Sequence, residues 1–145
     1  MEHLVEEKDL GKFAEEFFKT ISPSLGHATV IGLSGELGSG KTTFVKAVAR
    51  MLGIDESVLS PTFVIAKFYT LSPRAFWRTL VHVDAYRLEG PDELRSLKWS
   101  DLMKDERNLI LIEWPEQAGE FFPSDATLLS FRFVDETTRA IKTSL

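Results

Sequence analysis

The chain of 145 residues contains no cysteine, a single asparagine and a single glutamine. Without cysteine there is no disulfide partner, no thiolate metal site and no cysteine nucleophile. No apolar run approaches the ~20 residues that a membrane-spanning helix needs, and the acidic start over residues 1–7 is unlike a signal peptide. We therefore expect a cytoplasmic protein that has no contact with a membrane.

Basic residues are in the minority. The chain has 17 Lys and Arg against 22 Asp and Glu, a net charge of −5 at pH 7. This charge argues against a protein that grips bare nucleic acid or an anionic membrane through bulk charge. The hydrophobic fraction of 43% and the charged fraction of 27% are typical of a globular protein. The length suits one domain, which we expect to span residues 1–145.

The apolar residues indicate alternating helices and strands. Residues 10–21 carry an apolar stripe with helical spacing, residues 44–52 carry a second one that Gly53 ends, and Pro91 suits the first turn of another helix. The strand-like segments are 28–33, 62–69, 80–84 and 109–112, with a hairpin over 126–134 and 138–145. Strands mixed with covering helices predict a three-layer α/β domain. We expect its central sheet to be mostly parallel, with antiparallel strands at the edges.

The strongest motif is the segment 35–42, which reads GELGSGKT and fits G-x-x-x-x-G-K-[ST]. It follows a strand pattern and begins a helical one, as a phosphate-binding loop requires. Glycines let successive N–H groups converge on phosphate oxygens, and the helix N-terminus points its partial positive charge to the same place. Lys41 would reach the β- and γ-phosphates, and the Thr42 hydroxyl would be a ligand to Mg²⁺. The motif predicts a P-loop NTPase-like domain. Its candidate nucleotide-binding residues are Gly35, Glu36, Leu37, Gly38, Ser39, Gly40, Lys41, Thr42 and Thr43.

Carboxylates follow two of the strand patterns. Glu113 comes directly after the apolar run 109–112, and Asp84 closes the run 80–84. Both should reach the sheet edge at which open α/β sheets bind ligands. Glu113 could hold Mg²⁺ directly or through water, or be a solvated residue past a strand. Asp84 could polarise the attacking water or hold a metal-bound one. The candidate catalytic residues are Lys41, Asp84 and Glu113, and the candidate metal ligands are Thr42 and Glu113.

Two other polar residues have alternative interpretations. His82 shares a strand face with Asp84, and a lone histidine there is more often a hydrogen-bonded structural residue than a catalytic one. Thr62 follows Pro61 between the phosphate-loop helix and the next strand, where nucleotide switches keep a threonine that senses the γ-phosphate. A β-turn with proline at its rigid position explains the same residues. Thr62 is retained as a candidate nucleotide contact.

The phosphate loop by itself does not indicate which nucleotide base is bound or which reaction is catalysed. Guanine-specific switch proteins usually read the base with N-K-x-D, which is absent because the only asparagine, Asn108, precedes Leu109. No D-x-x-G switch motif follows the loop either. ATP is therefore favoured by elimination.

Four segments together resemble the TsaE family, also called YjeE: GELGSGKTT (35–43), SPTF (60–63), HVDAYR (82–87) and EWPE (113–116). The family comprises small ATPases of bacterial tRNA threonylcarbamoyladenosine (t6A) biosynthesis. The resemblance implies binding of ATP or ADP with Mg²⁺ and slow hydrolysis by the protein alone. It also implies that Thr42 and Glu113 contact Mg²⁺, that Asp84 is important for hydrolysis, and that Thr62 lies in a switch-like loop.

The resemblance further implies partners, the TsaD and TsaB proteins, whose complex modifies adenosine 37 of tRNA. The ATPase would reset that complex between turnovers, so that its contact with tRNA is only indirect. One position departs from the family: Lys98 follows Leu97 where a glycine is usual. The alternative interpretations are a small P-loop kinase and a nucleotide-sensing module with negligible turnover. A kinase would also need an acceptor pocket and usually an arginine-bearing lid.

Overall fold

The computed structural model describes residues 2–54, 66–73 and 75–144. The strands within these ranges are β1 (Glu2–Glu6), β2 (Thr29–Gly35), β3 (Ala66–Thr70), β4 (Thr79–Asp84), β5 (Asn108–Glu113), β6 (Thr127–Phe133) and β7 (Thr138–Thr143). The α-helices are α1 (Leu10–Lys19), α2 (Lys41–Met51) and α3 (Trp99–Lys104), with 3₁₀ segments at Glu7–Asp9, Pro91–Leu97 and Pro115–Phe121. No helix in the described ranges has the length and hydropathy of a membrane span.

The strands form one mixed sheet in the order β1-β7-β6-β2-β5-β4-β3. The four central strands, β6, β2, β5 and β4, run parallel to one another. Antiparallel pairing adds β3 at one edge and β7 followed by β1 at the other. The predicted sheet, parallel in the centre with antiparallel edges, is confirmed. In this sheet Asp84 is level with Glu113 on the neighbouring strand.

Alternate residues of the central strands face two different helical layers. On one face, Leu33 and Leu111 share a buried cluster with Phe17 of α1 and Phe44 of α2, whose rings meet edge to face with centroids 6.2 Å apart. On the other face, buried valines and isoleucines of β2, β4 and β5 pack with the segments between residues 85 and 126, around Trp99. The predicted three layers are therefore present.

Some elements differ from the sequence prediction. The segment from Pro91 is a 3₁₀ helix and not an α-helix, and it ends at Lys98, which has φ 55° and ψ 47°. A glycine, which the resemblance leads one to expect here, would adopt this left-handed conformation without strain, whereas lysine does not. The strand predicted from residue 62 is observed from Ala66, and residues 62–65 lie outside the described ranges. The strand β1, the helix α3 and the 3₁₀ segment Pro115–Phe121 were not predicted.

Gly32 in β2 provides a test of the packing between the sheet and the 3₁₀ segment Pro115–Phe121. A Cβ atom at Gly32 would lie 2.7 Å from Phe122 Cζ and 3.0 Å from Pro115 Cγ. Because an overpacked core strains its neighbours, Gly32→Ala should lower the free energy of unfolding by about 1–3 kcal/mol. Urea denaturation measures the change.

The matched control is Gly11→Ala in α1, where no heavy atom lies within 4 Å of the added methyl group. Alanine is the better helix former, so this variant should be as stable as the parent protein or more stable. Wild-type stability of Gly32→Ala would contradict the close packing.

Candidate functional site

The segment 35–42 joins β2 to α2, as the sequence predicts. The strand ends at Gly35 and the helix begins at Lys41, so the connecting loop lies over the helix N-terminus. Gly35 and Gly40 have φ values of 144° and 107°, which favour glycine. At Gly35 a Cβ would also lie 2.4 Å from the carbonyl oxygen of Phe131. Two glycines of the motif are therefore required by the shape of the loop.

Lys41 is buried, and its side chain turns back along the loop. Its Nζ donates hydrogen bonds to the carbonyl oxygens of Gly35 and Glu36 and lies 4.2 Å from the centre of the Trp114 ring. Burial lowers the pKa of Lys41 from its ordinary value, while the negative charges of Glu113, Asp84 and Glu116 act in the opposite direction. A bound phosphate would offer this ammonium group a stronger partner than neutral carbonyls.

Glu113 links the end of β5 to the first turn of α2. Both of its carboxylate oxygens lie 3.1 Å from Thr42 Oγ1, which donates to them. Its Oε2 also lies 2.6 Å from Nε2 of His82. Because the Thr42 hydroxyl proton points at the carboxylate, the lone pairs of Thr42 Oγ1 are free to face a cation. His82 is hydrogen-bonded, as expected, and its partner is the candidate metal ligand.

Asp84 lies beside this cluster at the end of β4. Its carboxylate accepts a hydrogen bond of 3.0 Å from the backbone N–H of Tyr86. The backbone N–H of Ala85, between these two residues, donates to the Glu113 carbonyl oxygen at 3.0 Å. The Tyr86 ring in turn contacts that of Trp114, with centroids 5.0 Å apart. The two strand ends are thus tied together, and the half-buried Asp84 carboxylate remains near Glu113.

These groups surround a cavity of about 200 Å³. Its walls include the phosphate loop, both candidate carboxylates, Trp114 and Arg139 of β7. Two buried polar atoms, Nε of Arg139 in this wall and Oγ of Ser39 in the phosphate loop, have no hydrogen-bond partner within the part of the chain that the structure describes. Such unpaired donors are costly unless a ligand or water satisfies them. The cavity therefore suits an anion with several oxygens.

The donor set also fits a magnesium ion. The oxygens of Thr42 and Glu113 are hard ligands of the kind Mg²⁺ prefers. Within residues 2–54, 66–73 and 75–144, no three His, Asp or Glu side chains form a metal site by themselves. A cation here would need phosphate and water oxygens as further ligands, which is the usual way Mg²⁺ binds beside nucleotides.

The structure brings together most of the predicted site residues. The loop residues 35–43, Asp84 and Glu113 lie at one edge of the sheet, whereas Thr62 lies outside the described residues. Arg139 was missed, because nothing in its local sequence separates it from an exposed strand arginine. Its place follows from the strand order alone, which sets β7 next to β6 and close to the loop: Arg139 Cγ is 3.4 Å from a Cβ built on Gly40.

The fold and the loop define an α/β protein of the P-loop NTPase-like class. The family model described as "Threonylcarbamoyl adenosine biosynthesis protein TsaE" matches residues 4–141. The chain therefore belongs to the TsaE family, which confirms the resemblance found in the sequence motifs.

Individual relatives agree with this assignment. The chain is 36% identical over 129 residues to the tRNA threonylcarbamoyladenosine biosynthesis protein TsaE of Streptomyces coelicolor, with 88% of this chain and 84% of the relative covered. It is 31% identical over 134 residues to the protein of the same name from Rickettsia bellii, with 92% and 86% covered. The crystal structure of Bacillus subtilis YdiB matches with a TM-score of 0.68 and 26% identity, over 97% of this chain and 82% of that one.

The contact between Lys41 and Trp114 predicts an optical signal for anion binding. A polyphosphate in the loop should draw Lys41 Nζ away from its carbonyl partners and from the indole ring. We expect a saturable change in tryptophan emission when inorganic tripolyphosphate and Mg²⁺ are added. Trp77 and Trp99 are buried in the core and should not respond.

The variant Trp114→Phe should abolish the change while leaving calorimetric binding of tripolyphosphate in place. Constant emission of the parent protein, under conditions where calorimetry detects binding, would refute the predicted movement of Lys41.

Proposed function

We propose that this protein is a Mg²⁺-dependent ATPase that binds ATP and ADP and serves tRNA t6A biosynthesis. The observation that carries the proposal is the arrangement of Lys41, Thr42 and Glu113 around the mouth of the glycine loop. The relatives described above are tRNA threonylcarbamoyladenosine biosynthesis proteins, and this indicates the pathway. Membership of the same family favours an ATPase over the small-kinase alternative.

Different residues of the chain have different roles in such a site. The loop N–H groups and Lys41 bind the β- and γ-phosphates, while Thr42 and Glu113 hold the cation. Bound Mg²⁺ would neutralise charge on the phosphate oxygens. Asp84, next to Glu113 and half-exposed, is placed to orient the attacking water. These residues are within one cavity, and positioning with electrostatic stabilisation is what phosphoryl transfer chiefly requires.

The proposed partners are the TsaD and TsaB proteins, and tRNA would be reached only through their complex. The net charge of −5 is consistent with a protein that does not bind tRNA directly. Apolar groups are exposed beside the nucleotide cavity: Leu37 of the loop is 69% exposed and Tyr86 is 45% exposed. Exposed apolar side chains next to a site suit a protein partner. We expect the protein to act in the cytoplasm.

Nucleotide binding is tested by calorimetry with three variants. ATP with Mg²⁺ should bind, and GTP should bind much more weakly. Lys41→Ala should weaken ATP binding on the order of tenfold to a hundredfold, because it removes charge-assisted hydrogen bonds. Glu113→Ala should reduce the dependence of binding and hydrolysis on Mg²⁺. The control Lys104→Ala, an exposed lysine of α3, should behave like the parent protein.

Equal affinities for ATP and GTP would contradict the base assignment. Hydrolysis that neither Lys41→Ala nor Glu113→Ala affects would place the reaction elsewhere in the protein.

The role in the pathway is tested by reconstitution. Mixing the protein with TsaD and TsaB should give a complex on gel filtration whose amount depends on the nucleotide present. Adding the protein should also increase the number of tRNAs modified per TsaD–TsaB complex, and Lys41→Ala should not. Failure to co-elute with either ATP or ADP would count against these partners.

A further inference from the structure

His82 contacts Glu113 from within the sheet and does not line the cavity of the candidate site. It lies on β4, level with Leu111, two residues before the position that is level with Glu113. From there its imidazole Nε2 comes within 2.6 Å of Glu113 Oε2, and the two side chains are 0% and 4% exposed. In the described part of the chain, the wall of the nucleotide cavity contains Glu113 but not His82.

The hydrogen bonds to Glu113 treat its two oxygens differently. Thr42 Oγ1 is 3.1 Å from Oε1 and 3.1 Å from Oε2, so Thr42 by itself does not distinguish them. His82 contacts Oε2 alone. Because His82 adds a contact to Oε2 and none to Oε1, Oε1 keeps more open lone pairs and is the oxygen left for a cation or its bound water.

The length of the acidic side chain explains why such a contact is needed. Glutamate has one more rotatable bond than the aspartate that commonly ends this strand in phosphate-loop proteins. A carboxylate that must meet a cation in one orientation loses the rotational freedom of this bond when the cation binds, and this entropy loss weakens binding. A hydrogen bond formed beforehand in a buried setting removes the same freedom in advance.

The surroundings of the other ring nitrogen of His82, Nδ1, indicate which nitrogen carries the imidazole proton. His82 Nδ1 is buried and has no hydrogen-bond partner within the described ranges. A neutral imidazole with its proton on Nε2 donates to Glu113 and leaves at Nδ1 only an acceptor. The opposite tautomer would bury an unpaired N–H and set two acceptors against each other.

We propose that His82 is a positioning residue that holds Glu113 through Oε2, so that Oε1 faces the cation of the nucleotide complex. This inference rests on the proposed function, since it needs a metal–nucleotide complex at the loop. It assigns His82 a role in metal affinity and none in contact with the nucleotide.

The test uses Mn²⁺, which is visible by electron paramagnetic resonance, as a probe for the cation in the presence of ADP. His82→Leu should weaken the Mn²⁺ affinity of the ADP complex by about tenfold to a hundredfold, the usual effect of losing a residue that orients a metal ligand. ADP affinity without metal should stay the same. His82→Gln, whose amide N–H lies near the position of Nε2, should recover much of the Mn²⁺ affinity.

Two further variants separate positioning from a general structural effect. His27→Leu changes a half-buried histidine just before β2, at the end of the parallel strands opposite to Glu113. This variant should leave Mn²⁺ affinity unchanged. In the Glu113→Ala background, adding His82→Leu should cause little further loss, because His82 acts through Glu113. The His82→Gln comparison also applies if His82→Leu does not fold.

Unchanged Mn²⁺ affinity in His82→Leu would overturn the proposal. So would an equal loss of metal-free ADP affinity, because that would mean that His82 supports the whole loop. If the parent protein binds ADP without metal but its Mn²⁺ affinity is insensitive to Glu113→Ala, the positioning role fails and nucleotide binding stands. If it binds no nucleotide at all, the proposed function fails first.

Discussion

The hydrogen bonds between Glu113 and the first turn of α2 join the two halves of the site. One half is the glycine loop with Lys41 and Thr42, which offers backbone amides and an ammonium group to an anion. The other half is the end of the parallel sheet, where β4 and β5 deliver carboxylates at the same level. Because Thr42 donates to Glu113 directly, each half fixes the orientation of the other, and a cation would bind between parts already in place.

Trp114 shows how the local backbone supports this arrangement. Its φ of 58° and ψ of 53° lie in the left-handed region, which costs a non-glycine residue roughly 1–3 kcal/mol. Its N–H donates to the Leu33 carbonyl oxygen at 3.1 Å, and Pro115 follows at once. The turn sends the indole ring back over Lys41 and against Tyr86. The backbone strain at Trp114 thus lies next to Glu113, the candidate metal ligand, and is offset by contacts that close one side of the cavity.

The sequence predicted those parts of the fold and site that depend on local pattern. The loop 35–42 has a fixed spacing, and the runs before Asp84 and Glu113 are buried on both faces, so all three could be located without a structure. Residues placed by long-range pairing could not. Arg139 reaches the loop only because of the strand order, and β1 is a short, mostly exposed strand whose partner β7 lies at the other end of the chain. The link from His82 to Glu113 likewise depends on the register of two strands.

The pairing of β1 with β7 has a consequence for the order in which the molecule assembles. The first strand of the sheet finds its neighbour only in the far C-terminal part of the described chain, where Glu6 is level with Thr138. Arg139, on that same last strand, borders the phosphate loop. During synthesis the loop and α2 therefore emerge well before the edge that completes their surroundings. Closing so long a stretch of chain is entropically demanding and slow, so we expect the candidate nucleotide cavity to be completed late in folding.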